Sequence, residues 1–170
     1  MNDTLETMLA YSQWADDRLI AASSDLTDDQ YRRHLGGGFG SAQAVIAHLA
    51  GAANAWRTRF EGGRVTKLLD VIQVPTLEAA RRELMQAYVV LTREASRSPV
   101  ELDEPFAYRN IQGVDVRVPR WVVLRHFANH ATYHRGQLAS MLRMLDQKPP
   151  STDFTVWVLE QQAAAASRDQ

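Results

Sequence analysis

Three of the five histidines fall within nine residues of one segment, which makes them the first candidates for chemistry. His126, His130 and His134 follow one another at intervals of four. In a helix, residues four apart lie on one face with Cβ atoms about 6 Å apart, so two neighbouring imidazoles can bind one cation. Each step of four overshoots a turn by about 40°, so the first and last histidines diverge by about 80°. One metal ion is therefore expected to take one adjacent pair, either 126 with 130 or 130 with 134.

A third ligand must come from another part of the chain, and His48 is the natural candidate. It lies three residues after Val45 and four before Ala52, on the apolar stripe of a predicted helix. An imidazole on such a stripe faces the interior, where it needs a partner. A metal ion is one such partner, and a hydrogen-bonded core histidine is the other interpretation. His34 stands beside three glycines in a basic segment, and we assign it no role.

Three neutral imidazoles would leave one coordination position open, which is typical of catalytic rather than structural metal sites. Imidazole suits both zinc and nickel, and affinity order alone does not choose between them. A bound cation lowers the pKa of a water or thiol at the open position. The histidine pattern therefore predicts a site that makes hydroxide or thiolate near neutral pH.

The elements that must position these histidines are predicted to be helices. Helical periodicity favours four long helices, over residues 4–23, 41–60, 75–96 and 119–146. We expect Pro99 to close the third of these. The last one carries the three closely spaced histidines, and the second carries His48.

The connections between the helices carry their own signals. Thr27 followed by Gln30 resembles a capping box and predicts a short helix. Residues 64–74 show no clear period. Residues 105–118 alternate apolar and polar side chains around a central glycine, which predicts a small β-hairpin or extended connection. The expected fold is all-α, a four-helix bundle with a long connection before its last long helix.

Length and composition set the class of protein. A chain of 170 residues fits one domain, residues 1–170, and 45% hydrophobic with 23% charged residues is ordinary for a globular protein. A net charge of −1 argues against a nucleic-acid partner, and no apolar run is long enough for a membrane span. The absence of cysteine excludes metal sites with cysteine ligands and a cysteine nucleophile. The first residues do not resemble a signal peptide, so we expect a cytoplasmic location.

The sequence resembles the DinB-like proteins, a group of bacterial four-helix-bundle metalloproteins. The stretch from Asn129 to Gln137 has the form of that family's characteristic motif. Weaker support comes from three further places, in the expected order along the chain: Phe39-Gly40-Ser41 with His48-Leu49 and Trp56, Tyr11-Ser12-Gln13-Trp14-Ala15, and Ser151-Thr152-Asp153-Phe154.

The resemblance implies that His48, His130 and His134 form the metal site, with a divalent ion such as zinc or nickel. His126 is then a neighbour that packs or supports a ligand. The resemblance also implies a homodimer and a small-molecule substrate. Some relatives are thiol transferases that use bacillithiol or mycothiol, and many members have no known activity.

Three functions stay open at this point. The first is a metal-dependent thiol S-transferase using a low-molecular-weight thiol, in which Arg135 could orient an anionic group, although it points about 100° away from His134. The second is a metal-dependent hydrolase, whose general base would have to reach the site through folding; Glu61, Asp115 and Asp153 are the candidates. The third is a non-enzymatic metal-binding or stress-related module with a closed coordination shell.

The remaining residues of interest have less specific roles. Gln137 could lie on the surface, contact a substrate or support a metal ligand. The four tryptophans are expected in the core or at a dimer interface: Trp14, Trp56, Trp121 and Trp157.

Overall fold

Four long helices dominate the computed structural model, which describes residues 4–167. They are α1 (Leu5–Ser23), α3 (Ala42–Phe60), α4 (Leu77–Ala95) and α6 (Arg120–Met144). Three of them begin at a side-chain cap that accepts a hydrogen bond from a backbone N–H three residues later: Thr4, Ser41 and Thr76. The predicted four-helix bundle is confirmed.

Short elements fill the connections. Between α1 and α3 lies α2 (Asp28–Arg32), which has the predicted capping box. Between α4 and α6 lie α5 (Pro99–Asp103) and a hairpin of β1 (Pro105–Arg109) and β2 (Asp115–Pro119). The chain ends in α7 (Phe154–Ala166), which periodicity does not predict because its apolar residues form no stripe.

The expectation that Pro99 closes α4 is wrong. Helix α4 ends at Ala95, and Pro99 is the first residue of α5, where its missing N–H costs nothing. Ser98 caps α5 and Glu101 completes a capping box. Proline at this place therefore starts a helix rather than ending one.

The order of the long helices around the bundle differs from their order in the chain. Helix α1 packs against α4 and α6, and α3 packs against the same two helices. The connections from α1 to α3 and from α4 to α6 therefore cross the bundle diagonally, which explains why both are long. This order makes α3 a direct neighbour of α6, so His48 can meet the histidines of α6.

The core is a continuous apolar cluster contributed by all four long helices. Its fully buried large side chains include Leu9, Leu19, Ile46, Leu91, Leu124 and Leu138. Of the tryptophans, Trp56 and Trp157 are buried, Trp14 is half-buried and Trp121 is exposed. No helix within residues 4–167 is long and apolar enough to cross a membrane.

Candidate metal centre

Three imidazoles converge between α3 and α6. Nε2 of His130 lies 3.2 Å from Nε2 of His48 and 3.1 Å from Nε2 of His134. One ring nitrogen from each histidine falls within 4.8 Å of the others. His130 and His134 reach this point because they are one helical turn apart, and His48 reaches it because α3 and α6 are neighbours. The structure thus brings together the three histidines that the resemblance implies.

The distances suit a tetrahedral metal ion. Nitrogens bound to zinc at about 2.0–2.1 Å in tetrahedral geometry lie about 3.3–3.4 Å apart. The two Nε2 separations of 3.2 and 3.1 Å are close to that value. The three side chains could therefore hold one divalent ion with little movement.

The environment favours the neutral form of two of the imidazoles, which is the form that binds a metal ion. Burial lowers the pKa of His48 to about 4, and the nearby His134 adds to this effect. Burial, followed by the charges of His134, His48 and His126, lowers the pKa of His130 to about 4. Near pH 7 both imidazoles are therefore uncharged and carry a free lone pair.

Gln137 fixes the orientation of one ligand. Its Oε1 lies 2.8 Å from Nδ1 of His134, one helical turn away. A proton on Nδ1 then donates to the amide oxygen, which leaves the Nε2 lone pair pointing at the other histidines. Metal-binding histidines usually have such an outer partner, which sets the tautomer and the ring orientation. Of the roles left open for Gln137, the structure favours support of a ligand.

Phe39 covers the histidine cluster on one side. Its ring centroid lies 4.5 Å from that of His48 and 5.2 Å from that of His134. The loop that carries it is closed by a bridge between Gly36 and Gly40, both at positive φ, which side chains rarely tolerate. The three-glycine segment therefore presents an aromatic ring to the site, a role that the sequence analysis did not foresee.

An apolar pocket of about 510 Å³ opens beside the cluster, with His48 in its wall. The loop after α3 forms one side of the pocket, and Ile111 from the hairpin turn contributes another part. This loop can lie flat on α3 because Gly51 leaves room for it; a Cβ there would clash with the backbone oxygen of Leu69. A glycine inside a helix was the sequence signal for this contact.

His126 lies outside the cluster. It is exposed, and its ring centroid is 5.7 Å from His130 and 5.7 Å from Trp56. Partial burial and the charge of Arg59 lower its pKa. The structure therefore pairs His130 with His134 and leaves His126 as a packing neighbour. His34 is exposed and does not join the cluster.

Arg135 does not face the site, which corrects the suggestion that it orients a substrate. Its side chain is 2% exposed, and Nη1 lies 3.0 Å from Oδ1 of Asp16 on α1. The same guanidinium donates to Ser12 and to Thr132. The 100° step from His134 turns Arg135 towards α1 instead of α3.

No carboxylate joins the histidines among residues 4–167. The three acidic candidates for a general base are engaged elsewhere. Glu61 pairs with Arg57, Asp115 pairs with Arg109, and Asp153 accepts a hydrogen bond from Ser151.

The acid that does line the pocket is Asp70. It lies 2.7 Å from Nζ of Lys67 and accepts a hydrogen bond from the backbone N–H of Ile72. These two contacts lower its pKa below the ordinary value. A carboxylate with a lowered pKa is a weak general base.

Comparison with known proteins agrees with this geometry. The model of the DinB family matches residues 1–164 of the chain. The chain belongs to the DinB family. It is 21% identical over 164 residues to Protein DinB of Bacillus subtilis, covering 93% of this chain and 95% of that protein. The predicted family is therefore confirmed.

Two solved structures share the fold of this DinB family member. One is a DinB-like protein from Bacillus cereus, with a TM-score of 0.64, 16% identity, and coverage of 89% of this chain and 99% of that one. The other is a DinB-like protein from Bacillus subtilis, with a TM-score of 0.58, 14% identity, and coverage of 86% and 97%. At these identities the likeness establishes the helical fold.

Proposed function

We propose that this protein binds one divalent metal ion, zinc or nickel, through His48, His130 and His134, and that it is a thiol S-transferase. The observation that carries the proposal is the convergence of three imidazole Nε2 atoms beside an apolar pocket. No fourth side chain within residues 4–167 completes the set. An exogenous ligand can therefore take the remaining position, as in catalytic metal sites.

The bound ion would lower the pKa of a coordinated thiol. A low-molecular-weight thiol, whose pKa in water is about 8.5, would then be a thiolate at neutral pH. The chain's own residues hold and enclose the reactants. Gln137 keeps His134 in the tautomer whose Nε2 faces the centre. Phe39 covers two of the rings and limits access of water from that side. The pocket beside His48 would accept an apolar electrophile.

The transfer balances without a further reactant. The thiol S–H bond breaks and its proton goes to solvent. A lone pair of electrons on the sulfur forms a bond to an electrophilic carbon of the second substrate. The bond from that carbon to its leaving group breaks, and the leaving group departs with the bonding pair.

The thiol reaction is favoured over hydrolysis by the absence of a suitable base. Metal-assisted hydrolysis needs a group that takes a proton from water in the reaction. The one carboxylate in the pocket wall, Asp70, is held by Lys67 and is a weak base. A thiol that is already ionised needs no such group.

The first test is metal content and metal affinity. Purified protein should contain or take up one divalent ion per chain, measured by elemental analysis and calorimetry. His130→Ala should abolish stoichiometric binding, while the exposed His34→Ala should bind like the wild type. Full-affinity binding by His130→Ala would contradict the ligand set.

The second test is thiol binding and transfer. Cobalt-loaded protein should develop a sulfur-to-metal absorption band when 2-mercaptoethanol is added. The zinc- or nickel-loaded protein should then accelerate conjugation of a thiol to 1-chloro-2,4-dinitrobenzene, and the His130→Ala variant should not. A metal-loaded protein that shows neither the band nor the acceleration would contradict thiol transfer and leave metal binding standing.

We also propose that the protein is a homodimer in solution, as the resemblance to the family implies. Light scattering at working concentration tests this directly. A strict monomer would contradict it.

A further inference from the structure

Arg59 is an unpaired cation at the edge of the histidine cluster. Six arginines within residues 4–167 are buried or half-buried. Five of them lie within 4 Å of a carboxylate oxygen: Arg18, Arg57, Arg97, Arg120 and Arg135. Arg59 is the sixth, and no carboxylate in the described part of the chain lies within that distance of it. Its Nε is buried and has no hydrogen-bond partner.

Aromatic rings hold this guanidinium in place. The Arg59 Cζ lies 4.6 Å from the ring centroid of Trp56 on α3 and 4.9 Å from that of Tyr108 on β1. Cation–π contact with these two rings, which stand at 76° to each other, restricts the motion of the guanidinium. It leaves the edge donors free. A planar, oriented fork of N–H groups is the geometry that binds a carboxylate with two hydrogen bonds.

A short path of ring contacts connects Arg59 to the metal ligands. The ring of Trp56 lies 5.7 Å from His126, and His126 lies 5.7 Å from His130. With the 4.6 Å step from Trp56 to Arg59, the guanidinium carbon is no more than about 16 Å from the His130 ring. A small molecule can span this length. His126 is exposed and the guanidinium is half-buried, so both border solvent.

We propose that Arg59 binds the carboxylate of the thiol substrate whose sulfur reaches the histidine centre. The inference rests on the proposed function and names the class of thiol: one with a carboxylate at a distance from its sulfur. The planar fork of one arginine matches one carboxylate with two parallel hydrogen bonds. The substrates then enter from two sides, the acidic thiol along Arg59 and His126 and the apolar electrophile through the pocket beside His48.

The test compares thiols that differ only in charge. Cobalt-loaded wild-type protein is titrated with 3-mercaptopropionate, 6-mercaptohexanoate and 11-mercaptoundecanoate, and with the alcohols of the same chain lengths. Affinity is measured from the sulfur-to-cobalt band and by calorimetry. The longer acids should bind about tenfold more tightly than their alcohols, because a carboxylate–arginine contact is a charge-assisted hydrogen bond. 3-Mercaptopropionate is too short and should show little preference.

Arg59→Gln should remove the preference for the acids and leave the alcohols unchanged. Arg57→Gln is the matched control, because it removes a charge two residues away whose partners are Glu61 and Glu83. It should keep the preference. Arg59→Lys keeps the positive charge but lacks the planar fork of N–H groups, so it should retain part of the preference for the acids. If Arg59 had only a structural role, Arg59→Gln would change the affinity for acids and for alcohols alike.

Each failure has a distinct outcome. If acids and alcohols bind equally well to the wild type, or if Arg59→Gln keeps the preference, the Arg59 inference is wrong and the proposed function stands. If no thiol produces the cobalt band, the proposed function is wrong and the inference falls with it. Circular dichroism of each variant confirms that the helices are intact before affinities are compared.

Discussion

Two polar clusters lie on different faces of α6, and they differ in whether their members satisfy one another. On the face towards α1, Arg135, Asp16, Ser12 and Tyr88 are each at most 2% exposed. Tyr88 donates to Asp16 at 2.6 Å, its hydroxyl oxygen lies 3.1 Å from that of Ser12, and Arg135 donates to both Asp16 and Ser12. On the face towards α3, three histidine ring nitrogens meet at one point, and no cysteine, carboxylate or further histidine among residues 4–167 joins them.

The difference separates a structural role from a functional one. In the first cluster, opposite charges and hydroxyl groups fill one another's hydrogen-bonding capacity, which a buried polar group requires. Burial raises the pKa of Asp16, and the charge of Arg135 opposes this rise. In the second cluster three imidazole nitrogens meet without a carboxylate among residues 4–167, so an external cation could complete them. Consecutive residues, His134 and Arg135, belong to the two different clusters.

The largest expected effect comes from breaking the first cluster, in which Arg135 pairs with Asp16. Asp16→Asn leaves the charge of Arg135 buried and unpaired, which should cost about 3–5 kcal/mol of the free energy of unfolding. Urea denaturation measures it. His134→Ala, next to Arg135 in the chain but in the second cluster, is the control. It should lower the free energy of unfolding of the metal-free protein much less. Equal losses in both variants would mean that the two clusters do not differ as described.

The next effect is on metal affinity. His130→Ala removes the central ligand and should weaken binding by more than about 100-fold, a larger loss than that of an outer-sphere partner. The free energy of unfolding of the metal-free protein should change little. Calorimetric titration and urea denaturation on the same preparation check both statements, and His126→Ala should keep near wild-type affinity. Loss of affinity in His126→Ala instead would show that the adjacent pair is wrongly assigned.

A smaller effect on metal affinity is expected at Gln137, which contacts the histidine cluster through Nδ1 of His134. Gln137→Leu removes the acceptor for Nδ1 of His134 and should weaken metal binding about 10–100-fold. Gln137→Glu retains an acceptor at the same length and should restore most of the affinity. Competition with a chelator measures the series. Equal affinity in the wild type and Gln137→Leu would contradict the orienting role.

The last effect is the pH dependence of the free energy of unfolding of the metal-free protein. The pKa values of His48 and His130 are about 4 in the folded state and about 6.5 in the unfolded chain, so the unfolded state binds more protons between these values. Stability should therefore fall as pH decreases from 6.5 to 4. The slope is at most about 1.4 kcal/mol per pH unit for each group, and partial exposure reduces it.

Urea midpoints at pH 7 and pH 5 measure this slope. The double variant His48→Ala/His130→Ala should have a flatter pH dependence than the wild type. An unchanged slope in that variant would assign the effect to other groups.

How much the sequence could predict depends on whether a feature is local. The four long helices follow from periodicity, and Ser or Thr just before the first residue marks the start of three of them, so these predictions are close to the observed bounds. The spacing of His130 and His134 is also local, since one helical turn places both rings on one face. The contact between His48 and this pair is not local: the apolar stripe around His48 made it the candidate third ligand, and the resemblance to a family selected His130 with His134 as the adjacent pair.

Features that depend on the order of the helices could not be predicted. The side chain of Arg135 points about 100° from His134, but whether it meets solvent, a substrate or Asp16 depends on which helix lies there. Likewise, the hairpin places Tyr108 against the Arg59 guanidinium, a contact between distant parts of the chain that the sequence does not show. The loop after α3 has no periodicity, and its close approach at Gly51 was not predicted.

The most direct test of the central claim is X-ray absorption spectroscopy of the zinc-loaded protein with and without a thiol. The account predicts three imidazole nitrogens at about 2.0–2.1 Å and one further light-atom ligand. Adding 2-mercaptoethanol should replace that ligand with one sulfur at about 2.3 Å while the three imidazoles remain. A shell with four protein ligands that thiol leaves unchanged would contradict an open, thiol-binding metal centre.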